Sequence, residues 1–193
     1  MNILAIDTSS GPLSVALQAG DRVFACHRVF ARPHDETLVP QVRRLLKRAG
    51  LKLADLNALA AASGPGRFTG IRVGMAYAAV LAGQLKVPAL AVSRLEALAR
   101  KIPADLVCAV LPGYKDEKFF QVFRSGRAAA PAAWVTAAAW PEARADLERR
   151  GAVLAEAEVS ARDLLHPAAL MMGRRRPPPF APLYLKPASY ERA

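Results

Sequence analysis

Ser63-Gly64-Pro65-Gly66-Arg67-Phe68-Thr69-Gly70-Ile71-Arg72-Val73-Gly74 decides the reading of this chain. It follows an apolar run, Leu56 to Ala62, that reads as a strand, and it opens a longer one, Phe68 to Leu85, that reads as a helix. Gly64, Gly66 and Gly70 fall within seven residues, where the backbone must turn sharply or be approached closely. A strand, a glycine-rich turn and a helix N-terminus can cradle an anion, which makes Gly64 and Gly66 candidate phosphate contacts. The loop matches neither a phosphate-binding P-loop, since no Lys-Ser/Thr follows the glycines, nor the GxGxxG dinucleotide spacing. Inside the helix, Gly70, Gly74, Ala78 and Ala82 recur every four residues and leave one narrow stripe almost bare. A mid-helix glycine costs roughly 1 kcal/mol against alanine, so close packing is expected to return the loss, against another helix of this chain or against a second chain.

Upstream, Ile3 to Ile6, Leu13 to Leu17 and Val23 to Phe30 read as three strands of a meander, broken at Gly11-Pro12 and Gly20-Asp21. Thr37 to Ala49 reads as an amphipathic helix, with Leu38, Val42, Leu45 and Leu46 on one face and Arg43, Arg44, Lys47 and Arg48 opposite or toward its end. Downstream come a strand over Ala89 to Val92 and a helix over Arg94 to Lys101. The order βββαβαβα describes a mixed α/β sheet covered by helices, the layout of the ribonuclease-H-like half of the actin and sugar-kinase fold. A boundary is expected near residue 102, giving an N-terminal unit over 1–102 and a smaller one over 103–193. Strands at Leu106 to Leu111 and Lys118 to Phe123 begin a truncated second copy of the plan. A connection or weak helix is expected over Ala128 to Pro141, a helix over Pro141 to Arg150, and an exposed extended run at Arg174 to Pro179.

Hydrophobic residues make up 53% of the 193 and charged residues 22%, which excludes a disordered or low-complexity chain. The net charge of +11 attracts polyanions, whether nucleic acid, nucleotide or acidic protein. Cys26 and Cys108 form no CxxC motif and no disulfide framework, which fits a reducing cytoplasm. The N-terminus has no basic region of the kind that opens a signal peptide, and the longest uncharged run is too short to cross a membrane. Asp7-Thr8-Ser9-Ser10 ends the first strand, where a hydroxyl-rich turn can hold a phosphate or a hydrated Mg²⁺; the same residues can equally cap their own backbone. His27, His34 and His166 form no HxxxH pair, so no catalytic metal is expected, and His34 reads as a surface turn ahead of the helix. Glu117 in Lys115-Asp116-Glu117-Lys118 reads as a solvated hairpin tip. No Ser/His/Asp or Cys/His set is legible, so no catalytic residue is assigned.

MNILAIDTSS at the start, HDETLVPQVRRLL, SGPGRFTGIRVGMAYAAVLA, VPALAVSRLEALA and PLYLKP near the end together resemble the bacterial TsaB (YeaZ) family. The resemblance implies a two-lobed actin-like fold and a non-catalytic partner of TsaD, the transferase that makes N6-threonylcarbamoyladenosine (t6A) at position 37 of tRNA. It implies a TsaE-type ATPase as third component, with ATP and metal on the partner subunits and no cofactor here. It also implies that the helices at Thr37 to Ala49 and Phe68 to Leu85 dock TsaD, or a second copy of the chain in a homodimer, through Leu38, Val42, Leu45, Gly70, Gly74, Tyr77, Ala78 and Leu81. The chain departs from the family at Leu111 to Phe119, where LPGYKDEKF stands in place of IDARMGEVY, and it is shorter in its second half. Two rivals stand beside this reading. One is an actin-fold ATP-dependent phosphotransferase or metallohydrolase using Asp7, Thr8, Ser9 and the Gly64 to Gly70 loop. The other is a stand-alone RNA-binding module resting on the charge and on Arg174 to Arg176.

Overall fold

The computed structural model describes residues 1–31 and 33–186, so the final proline of the PLYLKP segment lies outside the described residues. The chain forms two compact units, Met1–Ser93 with Ser160–Pro182, and Arg94–Val159 with Leu183–Ala193.

The first unit is built on β1 (Asn2–Asp7), β2 (Leu13–Ala19), β3 (Arg22–Arg28), β4 (Ala58–Gly64) and β5 (Ala89–Ser93), in the order β3-β2-β1-β4-β5. The meander β1-β2-β3 is antiparallel, and β4 and β5 add in parallel beside β1. α1 (His34–Ala49) lies against β2 and β3, and α2 (Phe68–Leu85) against β1, β4 and β5. Leu4, Ile6, Val15, Leu17 and Leu59 face these helices and share one core with Leu38, Val42, Leu45, Ile71 and Ala78. The alternate residues Ile3, Ala5, Ala16, Ala58 and Ala60 are buried too, so the sheet needs a second cover. α5 (Ala161–Met172) supplies it by packing against all five strands. No element was expected there. Pro167 interrupts the apolar pattern, but Ser160 and Asp163 form a capping box whose S-x-x-D spacing was visible in the sequence.

The second unit carries β6 (Leu106–Pro112), β7 (Lys118–Arg124), β8 (Arg127–Ala128), β9 (Ala133–Val135) and β10 (Val153–Ala155), with α3 (Arg94–Ala99) and α4 (Trp140–Arg149). β6 and β7 are antiparallel, β8 and β9 pair with β7, and β10 runs parallel to β6, repeating the relations of β1, β2, β3 and β4. Cys108, Val110, Trp140, Leu147 and Ala152 form its core. Among the described residues nothing corresponds to β5, so the copy is truncated as the sequence indicated.

Two expectations need correction. Ala128 to Pro141 is neither a plain connection nor a weak helix: Trp134 and its neighbours pair with β7 in β9. The division at residue 102 also fails as a single cut, because α3 packs on β6 and β7 while α5 packs on the first sheet. Each of these helices belongs to the unit whose strands it packs on, α3 to the second and α5 to the first, and no contiguous boundary can express that division.

Candidate functional site

β1 and β4 run parallel and side by side, so the Asp7–Ser10 turn and the Gly64–Gly70 loop leave the same edge of the sheet. The sequence suggested both as phosphate contacts, and the fold brings them together. What fills the space between them is this chain. Asp7 is fully buried, and its Oδ1 accepts the Ser9 N–H at 2.8 Å and the Ser9 hydroxyl at 2.6 Å, an Asx turn that caps its own backbone. The Arg67 N–H donates to the Ser9 carbonyl at 2.7 Å, and the Thr8 hydroxyl donates to the Gly70 carbonyl at 2.5 Å.

The glycines are explained by the same closure. A Cβ on Gly66 would stand 2.6 Å from the Ser9 carbonyl oxygen and one on Gly70 would stand 2.1 Å from that of Thr8, so both positions demand that the side chain be absent. Gly64, at φ +114°, adopts a backbone that favours glycine for a second reason. His34 adds a third grip, with Nδ1 3.2 Å from the Thr8 carbonyl and Nε2 3.1 Å from the Gly11 carbonyl. The neutral ring donates to one of these and the imidazolium to both. His34 is therefore a bridge between the start of α1 and the β1–β2 turn, rather than a free surface turn. Sequence reading missed this because the carbonyls it reaches are 26 and 23 residues away.

The residues assigned to docking separate into two groups. Leu38, Val42 and Leu45 are at most 2% exposed and belong to the chain's own core, as do Ala78 and Gly74. A Cβ on Gly74 would lie 2.6 Å from Thr8 Oγ1 and 3.5 Å from Ile6, so the N-terminal half of the bare stripe of α2 is closed by the end of β1 and the turn after it, in this same unit. Small residues face the closest neighbour, and that neighbour is internal. Gly70, Tyr77 and Leu81 are half-buried at the flank, and burial raises the Tyr77 hydroxyl's pKa against a smaller lowering by the Arg43 guanidinium.

The outward side of α2 is a different set: Phe68, Thr69, Arg72, Ala76, Ala79, Val80, Gly83 and Gln84 are exposed, Val80 at 68%, with Val73 half-buried beside them. Arg72 is the single charged residue of this 18-residue helix. A helix with one face in the core and the other in water ordinarily carries charges on the second face, as α1 does with Arg43, Arg44, Lys47 and Arg48. The signal was present in the sequence as an absence of charge, but the small-residue stripe drew the assignment to the buried side.

In the second unit, Glu117 is not a solvated tip. Its carboxylate receives the Lys186 ammonium at 2.6 Å on both oxygens, and that ammonium lies 5.0 Å from the centroid of the Trp134 ring. The divergent 111–119 hairpin is thereby tied to the PLYLK segment. Among the described residues no three His, Cys, Asp or Glu converge as a metal site, and no helix is long and apolar enough to cross a membrane.

Fold and turn together define an actin-like α/β protein of two ribonuclease-H-like units, the second truncated. Comparison with known proteins narrows the class. A family model described as "TsaD: tRNA N6-adenosine threonylcarbamoyltransferase" matches residues 28–134, more than half of the chain. The tRNA threonylcarbamoyladenosine biosynthesis protein TsaB of Escherichia coli is 37% identical over 128 residues, 64% of this chain and 55% of that protein. TsaB of Bacillus subtilis is 41% identical over 100 residues, 51% of this chain and 44% of that protein. The chain thus spans about half the length of the curated relatives it matches. Two solved structures from Pseudomonas aeruginosa cover it almost whole. A protein described as similar to peptidase YeaZ superposes with TM-score 0.77 at 32% identity over 96% of this chain and 99% of its own. YeaZ itself gives 0.74 at 30%, over 95% and 99%. The chain belongs to the TsaB (YeaZ) family.

Proposed function

We propose that this chain is a non-catalytic, cytoplasmic subunit of the assembly that forms N6-threonylcarbamoyladenosine at position 37 of tRNA. It presents the outer face of α2, beside α1, to a TsaD-like transferase. A TsaE-like ATPase joins the pair, ATP and metal reside on those partners, and in their absence the same face holds a second copy of the chain. The observation that carries the reading is the exposed row of Ala76, Ala79 and Val80, with half-buried Val73 beside it, on a helix with one charge. Such a row is poorly suited to water and well suited to a partner helix. The docking set assigned from the resemblance is replaced by this row, with Tyr77 and Leu81 at its flank. Leu38, Val42, Leu45, Gly74 and Ala78 support it from beneath.

Against the phosphotransferase rival stands the close approach at Gly66 and Gly70, where a Cβ would meet Ser9 and Thr8 rather than open space. Asp7-dependent ATP hydrolysis by the chain alone would restore it.

The test is reconstitution of tRNA modification with TsaD-like, TsaE-like and adenylate-supplying proteins, with and without this chain, together with Val80→Glu. Modification is expected to require the chain. The glutamate, placed on an exposed position, is expected to leave folding within about 0.5 kcal/mol of the parent and to weaken co-purification with the transferase more than tenfold, because docking would bury an unpaired charge. A folded Val80→Glu chain that co-purifies and supports modification as the parent does overturns the assignment.

A further inference from the structure

The charge of the molecule is not spread evenly. Met1–Ser93 with Ser160–Pro182 holds 15 Lys and Arg against 6 Asp and Glu, net +9, while Arg94–Val159 with Leu183–Ala193 holds 12 against 10, net +2. Within the first unit the excess gathers where α1 lies over the edge strand β3. From Arg22 to Ala31, and again from Thr37 to Lys52, there is no acidic residue, and Arg22, Arg28, Arg43, Arg44, Lys47 and Arg48 are all exposed. None of these six forms an ion pair among the described residues.

Three of the six are nevertheless held in place. The Arg22 and Arg48 guanidiniums lie 5.3 and 5.9 Å from the centroid of one ring, Phe24, and Arg28 lies 5.4 Å from that of Phe30. A guanidinium resting on an aromatic ring has lost rotamer freedom before any ligand arrives and keeps its N–H edge free to donate. Planar forks fixed in this way, unpaired and on one face, suit bidentate contact with phosphate oxygens.

We infer that the α1–β3 flank of the first unit, centred on Arg22, Arg28, Arg44 and Arg48, binds the ribose–phosphate backbone of a folded RNA. The choice of RNA over an acidic protein rests on the proposed role in tRNA modification; the surface itself rests on charge and geometry alone. It lies on a different helix from the apolar row of α2, so the chain offers one face to protein and another to nucleic acid. Contacts of this kind position without reading sequence, and they weaken as salt rises through counterion release.

Three variants of equal net charge test it on the full chain: Arg28→Gln/Arg44→Gln/Arg48→Gln on the flank, Arg174→Gln/Arg175→Gln/Arg176→Gln on the extended run, and Arg124→Gln/Arg149→Gln/Arg150→Gln in the second unit. Affinity for an unmodified tRNA transcript is measured from 50 to 300 mM salt. The flank variant is expected to lose about tenfold or more in affinity near 0.1 M salt and to lower the slope of log K against log salt by roughly two to three, while the others move affinity less than about threefold. Equal losses in all three, or a loss confined to the Arg174–Arg176 variant, overturn the location; no loss in the flank variant overturns the inference. Co-purification with a TsaD-like protein, read in parallel, separates this from the proposed function. A flank variant that still docks but binds RNA poorly supports both, and RNA binding through the flank in a chain dispensable for t6A leaves the inference standing while the function falls.

Discussion

The two units repeat one plan of strands and treat their arginines in opposite ways. In the second unit Arg100, Arg124, Arg144, Arg149, Arg150 and Lys186 each reach a carboxylate. In the first, Arg22, Arg28 and Arg48 lean on phenylalanines, and among the described residues neither they nor Arg43, Arg44 and Lys47 reach a carboxylate. The same contrast holds between the two neighbouring helices of the first unit: α1 turns charge outward, α2 turns valine and alanine outward. The repeat of the fold therefore does not repeat its surface. Six bases of the second unit are ion-paired within it, whereas among the described residues the first keeps a cationic flank without ion pairs and an exposed apolar row.

The largest expected effect attacks the turn from which the first unit is hung. Gly70→Ala sets a methyl against the Thr8 carbonyl, a backbone atom that cannot swing aside, and should cost about 3 kcal/mol in chemical denaturation. A cost under about 0.5 kcal/mol would mean that the turn yields and that the glycines are there for something else. Gly74→Leu belongs to the same class, since it would meet Thr8 before any partner.

A smaller effect is expected where the second unit is stapled. Glu117→Gln leaves Lys186 facing an amide in a site where the two side chains are 26% and 14% exposed, and should cost about 1–2 kcal/mol. Cys108 reports it. Burial, with a smaller push from the Glu156 charge, lifts its thiol to about 12, so alkylation requires the unit to open. Labelling should accelerate roughly 5- to 30-fold in the variant, and an unchanged rate would leave the strap energetically idle.

The strands, α1, α2 and their order were legible because alternation and helical spacing are local and the turns between them carry glycine. Asp7, Thr8, Ser9, Gly64 and Gly66 were legible as residues that meet, since parallel neighbours place their loops at one edge. What escaped was the occupant of the meeting place. A glycine that makes room for a phosphate and one that makes room for a carbonyl sixty residues away look alike in sequence. The bare stripe of α2 failed for the same reason: spacing locates a close approach without naming what approaches. α5 was missed because its capping box sits beside a proline, and its partners are a whole sheet distant in the chain.

The smallest prediction is one of sign. Arg150 pairs with Asp146 at 3.3 Å, both well exposed, so Arg150→Ala should cost a few tenths of a kcal/mol at low salt. Arg44 has Arg43, Lys47 and Arg48 around it on α1 and no carboxylate, so Arg44→Ala relieves like-charge repulsion and gains helix propensity, and should stabilise by a similar amount. Thermal melts at 20 mM and 500 mM salt would separate the electrostatic part of both effects, which screening should remove, from the propensity part, which should persist. If Arg44→Ala destabilises as Arg150→Ala does, α1 holds its bases for folding and the contrast between the units is superficial. If it stabilises, the flank carries charge at the expense of its own fold, and the reason for that charge lies in what the flank touches.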